Sequence, residues 1–319
     1  MSAETVAFLF PGQGSQSVGM GRDLAEHFPT ARAVFDEADE ALGYSLSRLC
    51  FEGPEDQLKL TEFTQPAILT VSIAAARVLV ERGVSPAVAA GHSLGEYSAH
   101  VQAGTLSFAD AVRTVRARGR FMQEAVPEGK GAMSAILGLD AARIGDLCQQ
   151  ASDEHNCIVA PANMNAPEQT VISGDFEAVV RAGELCKEAG AKRVVPLPVS
   201  APFHCGLMSP AAELLANELE RVVFNDPAIP VASNVDARLL SRRSEARDAL
   251  VRQVTGAVRW TECIELLRTP PVEATLYIEV GPGRVLSGLL RQIDRGLKSS
   301  NVEDSASLEK TLQLLGVQG

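Results

Sequence analysis

The sequence is poor in aromatic side chains, since only 5% of its 319 residues are Phe, Tyr or Trp and there is a single Trp. Apolar residues nevertheless make up 46% of the chain, so the core must be built mainly from aliphatic side chains and alanine. Charged residues contribute 22%, which is ordinary for a globular protein. A chain of this length has room for one large core and a smaller second one.

Basic residues are fewer than acidic ones, with 29 Lys and Arg against 40 Asp and Glu, so the formal net charge is -11. A strongly acidic chain repels nucleic acid and anionic lipid, so we expect neither as a partner. The apolar runs are short, and none approaches the ~18 residues of a membrane span. The run at Val6–Phe10 lacks the length and the basic flank of a signal peptide. We therefore expect a cytoplasmic protein.

The six cysteines form neither a Cys-x-x-Cys pair nor a tight cluster with histidine. Such spacing does not indicate a zinc site. We expect reduced thiols, as is usual inside the cell, and no metal ion.

Short apolar strands alternate with helical patterns in the first part of the chain. Val6–Phe10 ends at a Pro-Gly turn, and a second apolar strand at residues 87–90 precedes Gly91. Helical patterns follow each strand, among them one at residues 108–123. This alternation predicts an α/β fold with a mostly parallel sheet covered by helices on both faces.

Between residues 129 and 198 the order of the predicted strands and helices changes to the ferredoxin-like order β-α-β-β-α-β. Residues 163–167 should connect the second and third of these strands. After residue 198, short apolar strands alternate with helical patterns again. We therefore predict a large α/β domain of residues 1–128 and 199–319, into which a ferredoxin-like domain of residues 129–198 is inserted. The polar segment 298–307 should be a loose tail before a short terminal helix.

The stretch Gly91-His92-Ser93-Leu94-Gly95 matches the Gly-x-Ser-x-Gly pattern of a nucleophile elbow. In an elbow the serine lies on a tight turn from a strand to a helix, where a Cβ on either flanking glycine would clash. The expected context is present, with an apolar strand before the motif and a helical pattern after it. The free N–H of Leu94 and the helix N-terminus can stabilise an oxyanion. Ser93 is therefore the candidate nucleophile of an acyl-transferring enzyme.

An exposed serine nucleophile needs a base. His204 follows a predicted strand at the point where the chain re-enters the large domain, and strand ends in open α/β sheets are where sites form. This position favours a base, with a structural histidine as the alternative. His92 adjoins Ser93 on so sharp a turn that the two side chains should point apart. No acid stands out by its spacing, and a backbone carbonyl can orient a histidine instead.

The helix predicted at residues 108–123 carries four arginines. At ~100° per residue, Arg113, Arg116 and Arg120 share a solvated face, whereas Arg118 falls about 140° from Arg113, among the apolar positions. An arginine that points inward needs a charged partner. That partner is either an internal Asp or Glu or the carboxylate of a substrate, bound by both prongs of the guanidinium. The second alternative predicts an acyl group that carries its own carboxylate.

Together these residues resemble the malonyl-CoA:acyl carrier protein transacylases, and the resemblance runs from Phe8 to about Leu290. The motifs that carry it lie in family order at Phe10-Pro11-Gly12-Gln13-Gly14-Ser15-Gln16, Gly91-His92-Ser93-Leu94-Gly95-Glu96, Arg118-Gly119 with Met122-Gln123, Pro202-Phe203-His204 and Glu279-Val280-Gly281-Pro282-Gly283. The resemblance implies an α/β-hydrolase-like large domain. It also implies transfer of a malonyl group from malonyl-CoA to the phosphopantetheine thiol of acyl carrier protein for fatty acid synthesis, without a bound cofactor. We expect a monomer.

The resemblance also implies roles for individual residues. Ser93 would be the nucleophile and His204 its base. The backbone N–H groups of Gln13 and Leu94 would form the oxyanion hole. Arg118 would bind the malonyl carboxylate.

Three further residues follow from the resemblance. Asn165 would lie near the substrate, and Phe203 would tighten the pocket against a branched acyl group. The carbonyl that orients the histidine precedes a Trp in the family, which corresponds to Arg259 before Trp260. Family members often have Gln at that position, so only the carbonyl carries over. A local basic patch would have to dock the acidic carrier protein, either Arg113, Arg116 and Arg120 or Lys192 and Arg193. The alternative for each set is a plain solvated face.

Three other functions remain open on the sequence. A serine hydrolase would pass the acyl group to water, although Arg118 on an apolar face argues against a simple esterase. A free-standing acyltransferase could serve polyketide or polyunsaturated lipid synthesis. A carrier-binding scaffold would have no catalytic role, and the intact Ser93 and His204 argue against it.

Overall fold

The computed structural model describes residues 4–199 and 201–317. Along the chain its strands are β1 (Val6–Phe10), β2 (Val88–Gly91), β3 (Gly131–Leu137), β4 (Val159–Ala166), β5 (Gln169–Asp175), β6 (Arg193–Pro196), β7 (Val231–Ala232), β8 (Leu239–Leu240), β9 (Leu276–Val280) and β10 (Ser299–Val302). The helices are α1 (Arg22–His27), α2 (Pro29–Leu42), α3 (Leu46–Glu52), α4 (Glu55–Leu58), α5 (Thr61–Glu81), α6 (Gly95–Gln102), α7 (Phe108–Glu124), α8 (Ala141–His155), α9 (Phe176–Glu188), α10 (Ser209–Leu219), α11 (Arg243–Arg252), α12 (Trp260–Arg268), α13 (Val285–Ile293) and α14 (Ser305–Leu315).

The larger of the two sheets has the order β10-β9-β1-β2-β7-β8. All neighbours in it run parallel except β7 and β8, which are antiparallel. The central strand β1 is buried along its whole length, because helices cover both faces of the sheet. This burial explains why its sequence is continuously apolar and does not alternate. The α/β fold class is confirmed, with the short antiparallel β8 as an addition at one edge.

The segment predicted to be a loose tail is ordered. β10 pairs in parallel with β9, with Ser299 opposite Tyr277, and α14 then begins after Asp304, whose side chain accepts a hydrogen bond from the N–H of Ser307. The prediction was wrong because an edge strand that is partly exposed needs no apolar run. Its order comes from backbone pairing with β9, which the local sequence does not encode.

The smaller sheet has the order β4-β5-β3-β6, and its neighbours are antiparallel. With α8 and α9, it follows the order β-α-β-β-α-β along the chain. The sheet lies within the segment 129–198, and the domain boundaries at those residues stay a prediction. Residues 163–166 continue β4 and do not form the connection that we expected. There β4 contacts the large domain, because the N–H of Met164 donates to the carbonyl of Val258 at 2.9 Å.

The helix α5 contradicts the expectation that no stretch approaches a membrane span. Its 21 residues are long and apolar enough to cross a membrane by length and composition. However, 83% of an apolar 18-residue stretch of this helix is buried inside the protein, where α5 packs against α2 and α7. A helix that is apolar all round is typical of a buried core position as well as of a span. Here protein surrounds it.

Candidate active site

The turn after β2 places Ser93 in a left-handed backbone conformation with a φ of 51°, which is uncommon for a residue with a side chain. The turn is possible because its two glycines lack a Cβ. A Cβ on Gly91 would lie 1.9 Å from the carbonyl of Gly95, and one on Gly95 would lie 2.0 Å from the carbonyl oxygen of Phe10. The predicted elbow is therefore present, and α6 begins two residues after the serine.

The elbow opens into a cavity of about 570 Å³ between the two sheets. The large domain contributes Ser93 and His204 to its lining, and the residues from β3 to β6 include Met133 and Asn163. Phe203 also lines the cavity, as expected. The lining thus combines apolar walls with a few polar groups, which is the usual composition of a small-molecule site.

Ser93 and His204 are in direct contact, with 2.7 Å between Oγ and Nε2. The other ring nitrogen, Nδ1, lies 2.8 Å from the carbonyl oxygen of Gln253 and 3.2 Å from that of Gly256. A carbonyl only accepts, so we assign the ring proton to Nδ1, which leaves Nε2 to accept the proton of the serine. Burial, together with the cation of Arg118, lowers the pKa of His204 to about 3. The ring is therefore neutral at pH 7, as a general base must be.

The prediction that the carbonyl of Arg259 orients His204 was wrong, because carbonyls of other residues accept from its ring. Arg259 immediately precedes α12, and its carbonyl accepts from the N–H of Cys263 in the first turn of that helix. The carbonyl of Gln253 is free for His204 because α11 ends at Arg252, and the last carbonyls of a helix have no partner within it. Among the residues that the structure describes, no carboxylate contacts His204.

Gln13 and Leu94 both line the cavity that contains Ser93. Within residues 4–199 and 201–317, neither backbone N–H has a hydrogen-bond partner, so both are available to a ligand. The loop that carries Gln13 is closed by Ser15, whose Oγ donates to the carbonyl of Gly12 at 2.9 Å. An oxyanion hole needs such free donors, and the assignment of Gln13 and Leu94 to that role stays a prediction.

Asn165 does not occupy the place that the resemblance implied. Its side chain is buried, and its Oδ1 lies 2.7 Å from Nε2 of His92. The cavity lining contains Asn163, two residues earlier, and lacks Asn165. Asn165 therefore lies behind the cavity wall, where its amide fixes the ring of His92 next to the elbow.

Arg118 is buried and makes no ion pair among the described residues. Two amide oxygens hold it: Nη1 donates to Oε1 of Gln65 at 2.8 Å, and Nη2 donates to Oε1 of Gln253 at 2.9 Å. Nη2 also lies 3.2 Å from Oγ of Ser93. Of the two partners that the sequence allowed, an internal acid in direct contact with the guanidinium is thus absent. A buried guanidinium with neutral partners is costly, and it faces the cavity at the nucleophile.

The sequence analysis did not predict the side chains that form hydrogen bonds with the backbone of the elbow. Asn234 accepts from the N–H of Ser93 at 2.7 Å and donates to the carbonyl of Gly91 at 2.8 Å. Nε2 of Gln253 donates to the carbonyl of Ser93 at 3.0 Å and to Oε2 of Glu96 at 2.7 Å. Gln253 therefore contacts the nucleophile, the base and Arg118. Only Glu96 carried a sequence signal, because it lies within the quoted elbow motif.

The family model for the acyl transferase domain matches residues 7–313. A protein of Escherichia coli O157:H7 named malonyl CoA-acyl carrier protein transacylase is 52% identical over 97% of this chain and 99% of its own length.

Solved structures give the same result. An acyl carrier protein S-malonyltransferase from Vibrio cholerae is 49% identical, covers 96% of this chain and 99% of its own, and superposes with a TM-score of 0.93. A malonyl-transacylase solved in complex with its type II PKS acyl-carrier protein is also 49% identical, with 97% and 99% covered and a TM-score of 0.93. These matches confirm the resemblance that the motifs indicated, and the chain belongs to the acyl transferase domain family.

Proposed function

We propose that this chain transfers the malonyl group of malonyl-CoA to the phosphopantetheine thiol of acyl carrier protein, through an ester on Ser93, for fatty acid biosynthesis. The observation that carries the proposal is the buried cation of Arg118, which has no carboxylate in direct contact among the described residues and lies beside the nucleophile. A malonyl group supplies the missing carboxylate. The names of the relatives support the same assignment.

Acylation of Ser93 needs only groups of this chain and the substrate. His204 takes the proton of Ser93 as Oγ attacks the thioester carbonyl. The N–H groups of Gln13 and Leu94 stabilise the negative charge on the tetrahedral oxygen. When the C–S bond breaks, His204 returns the proton to the sulfur, and coenzyme A leaves as a thiol.

Deacylation repeats these steps with a different nucleophile. The phosphopantetheine thiol of the carrier protein gives its proton to His204 and attacks the ester carbonyl. Ser93 Oγ leaves and recovers a proton from His204, so the enzyme returns to its starting state. In both half-reactions Arg118 binds the malonyl carboxylate, which orients the acyl carbonyl towards the oxyanion donors. Neither half-reaction requires a metal ion or a bound cofactor.

The proposed partners are malonyl-CoA and acyl carrier protein, and we propose a cytoplasmic monomer that binds neither nucleic acid nor membrane. The two basic patches expected for docking are partly neutralised within the protein. Arg113 pairs with Asp110 at 2.9 Å, Arg116 with Glu62 at 3.0 Å and Lys192 with Glu168 at 2.8 Å. Arg120 and Arg193 make no ion pair within the described part of the chain. These two side chains are therefore the better docking candidates.

A second candidate function keeps the chemistry and changes the carrier. One similar structure holds a malonyl-transacylase together with a type II PKS acyl-carrier protein, which favours service to polyketide synthesis as well. Transfer rates to carrier proteins of the two kinds would distinguish these roles.

The experiment is a two-step loading assay. The protein is incubated with malonyl-CoA, and intact mass spectrometry and peptide mapping locate the acyl group. The loaded protein is then divided between phosphopantetheinylated carrier protein and buffer alone. We expect an ester on Ser93, rapid discharge to the carrier thiol, slow discharge in buffer and no ester on Ser93→Ala. Discharge by water as fast as by the carrier would make the protein a hydrolase, and a complete lack of ester would make it a scaffold.

A further inference from the structure

One fully buried carboxylate lies behind the active site and has no part in the proposed chemistry. Glu96 is in the first turn of α6, with none of its surface exposed. Its Oε2 accepts from Nε2 of Gln253 at 2.7 Å and from the backbone N–H of Asn234 at 3.1 Å. Its Oε1 has no hydrogen-bond partner among the described residues.

The position of Glu96 determines how the amide of Gln253 is turned. Because the carboxylate and the carbonyl of Ser93 both accept from Nε2, the amide oxygen must point the other way. There it accepts from Nη2 of Arg118. One amide group therefore lies between the buried anion and the buried cation.

The charged and titratable groups around Glu96 come from several elements. The hydrogen bonds from Gln253 and Asn234 lower the pKa of Glu96, and the cation of Arg118 on α7 lowers it further. Asp236, between β7 and β8, raises it. Tyr97 on α6 and Cys263 on α12 are close enough for Glu96 to raise their pKa values, and burial keeps both neutral at pH 7. Burial is the largest effect on Glu96 itself and raises its pKa to about 7. Arg118 is thus the cation that opposes burial in keeping Glu96 ionised.

We infer that Glu96 is a positioning residue that acts as the internal counterion of Arg118 in the empty site and takes up a proton when an acyl carboxylate binds Arg118. The inference rests on the proposed function, because it needs a malonyl group on Ser93. A substrate carboxylate neutralises Arg118 and so removes the cation that favours the charged form of Glu96. The proton comes from solvent and binds Oε1. Oε2 then keeps both of its hydrogen bonds, so Gln253 stays in place.

The coupling is reciprocal. If malonyl binding favours protonation of Glu96, protonation of Glu96 favours malonyl binding to the same degree. The KM for malonyl-CoA should therefore rise with pH above about 7, where the empty site has lost this proton and the malonyl-bound site still holds it, by up to about tenfold per pH unit for one coupled proton. For acetyl-CoA, which brings no carboxylate to Arg118, KM should not rise in this way.

Infrared difference spectroscopy tests the inference on the wild-type protein. Spectra are recorded at pH 7 before and after loading with ¹³C-labelled malonyl-CoA, so that the acyl bands are shifted away from those of the protein. Mass spectrometry on the same sample measures the ester on Ser93. We expect a new C=O band of a protonated carboxylic acid that shifts in D₂O, appears in proportion to the ester and is absent from Glu96→Gln.

Glu279→Gln is the matched control, because Glu279 is an equally buried acid that binds Leu286 and Ser287. It lies in β9, which β1 separates from the elbow strand β2. That variant should keep both the band and the pH dependence of KM. An ester without the band would overturn this inference and leave the proposed function intact, whereas no ester would overturn both. If Glu96→Gln fails to fold, the wild-type spectrum and the comparison of malonyl-CoA with acetyl-CoA still decide the question.

Discussion

Nη2 of Arg118 lies 3.2 Å from Oγ of Ser93. The buried cation and the nucleophile therefore meet at one point of the cavity. An acyl group attached to Ser93 can place a carboxylate on Arg118 only if few atoms separate its carbonyl from that carboxylate. A malonyl group has a single methylene between them, so the distance favours this acyl group over longer dicarboxylic ones.

Replacing Gln65 by Glu should weaken malonyl selection. Oε1 of Gln65 accepts from Nη1 of Arg118 at 2.8 Å, so the substitution would give the guanidinium an internal carboxylate that competes with the substrate. We expect KM for malonyl-CoA to rise at least about tenfold relative to acetyl-CoA, equivalent to about 1.4 kcal/mol. Steady-state kinetics with the two substrates measures this ratio.

Gln16→Glu is the control for that variant, because it adds the same charge to the lining of the same cavity without contacting Arg118. Any repulsion of coenzyme A would then affect both substrates equally, and the ratio should not change. A Gln65→Glu protein with the wild-type ratio would show that a carboxylate in contact with Arg118 does not compete with the malonyl group.

Gly95→Ala should destabilise the protein by several kcal/mol, because its Cβ would lie 2.0 Å from the carbonyl oxygen of Phe10 and neither backbone can move independently. The urea midpoint of unfolding measures the effect. Gly288→Ala is the matched control, since nothing lies within 4 Å of a Cβ in that position of α13. Alanine there should be neutral or stabilise by up to about 1 kcal/mol. Equal midpoints for the two variants would contradict the close contact at the elbow.

Buried His100 should make stability depend on pH. Neither ring nitrogen has a partner in the described structure, and burial lowers the pKa of His100 to about 3. Between that value and the unfolded value near 6.5, the unfolded chain binds a proton that the folded protein excludes, so stability falls as pH falls. From pH 7.5 to 5.5 the loss from this one group is about 1.4 kcal/mol.

His100→Leu removes this group without adding a polar one. Denaturant unfolding of both proteins at pH 7.5 and 5.5 should show the variant losing about 1.4 kcal/mol less than the wild type over that interval. Equal losses would mean that His100 binds its proton in the folded protein as easily as in the unfolded one.

The sequence contained enough information for the parts of the site that depend on local geometry. The elbow at Ser93 follows from a strand, two glycines and a helix that are adjacent along the chain. The inward direction of Arg118 follows from the periodicity of α7. Both features could be predicted because each depends only on residues within one turn or one helix.

Contacts between distant segments were not predictable in the same way. Gln253 reaches the elbow from 160 residues away, and Asn234 from 141. Nothing near either residue indicates such a contact. The carbonyl that orients His204 was placed at Arg259 because the resemblance identified a neighbourhood, whereas the end of α11 decides which carbonyl is free. The identity of the partners of Arg118 likewise depends on how α5 and α11 pack around it.

The rate constant kcat/KM for malonyl-CoA and for acetyl-CoA in Arg118→Ala, relative to wild type, tests the central claim most directly. Arg221→Ala, at an exposed position outside the cavity lining and outside both proposed docking patches, is the control and should leave kcat/KM for both substrates unchanged. Loss of a buried charge pair predicts a fall of about 10² to 10³ for malonyl transfer and a much smaller fall for acetyl transfer, so that the preference reverses. An equal fall for both acyl groups would contradict the account, because Arg118 would then serve the site without recognising a carboxylate.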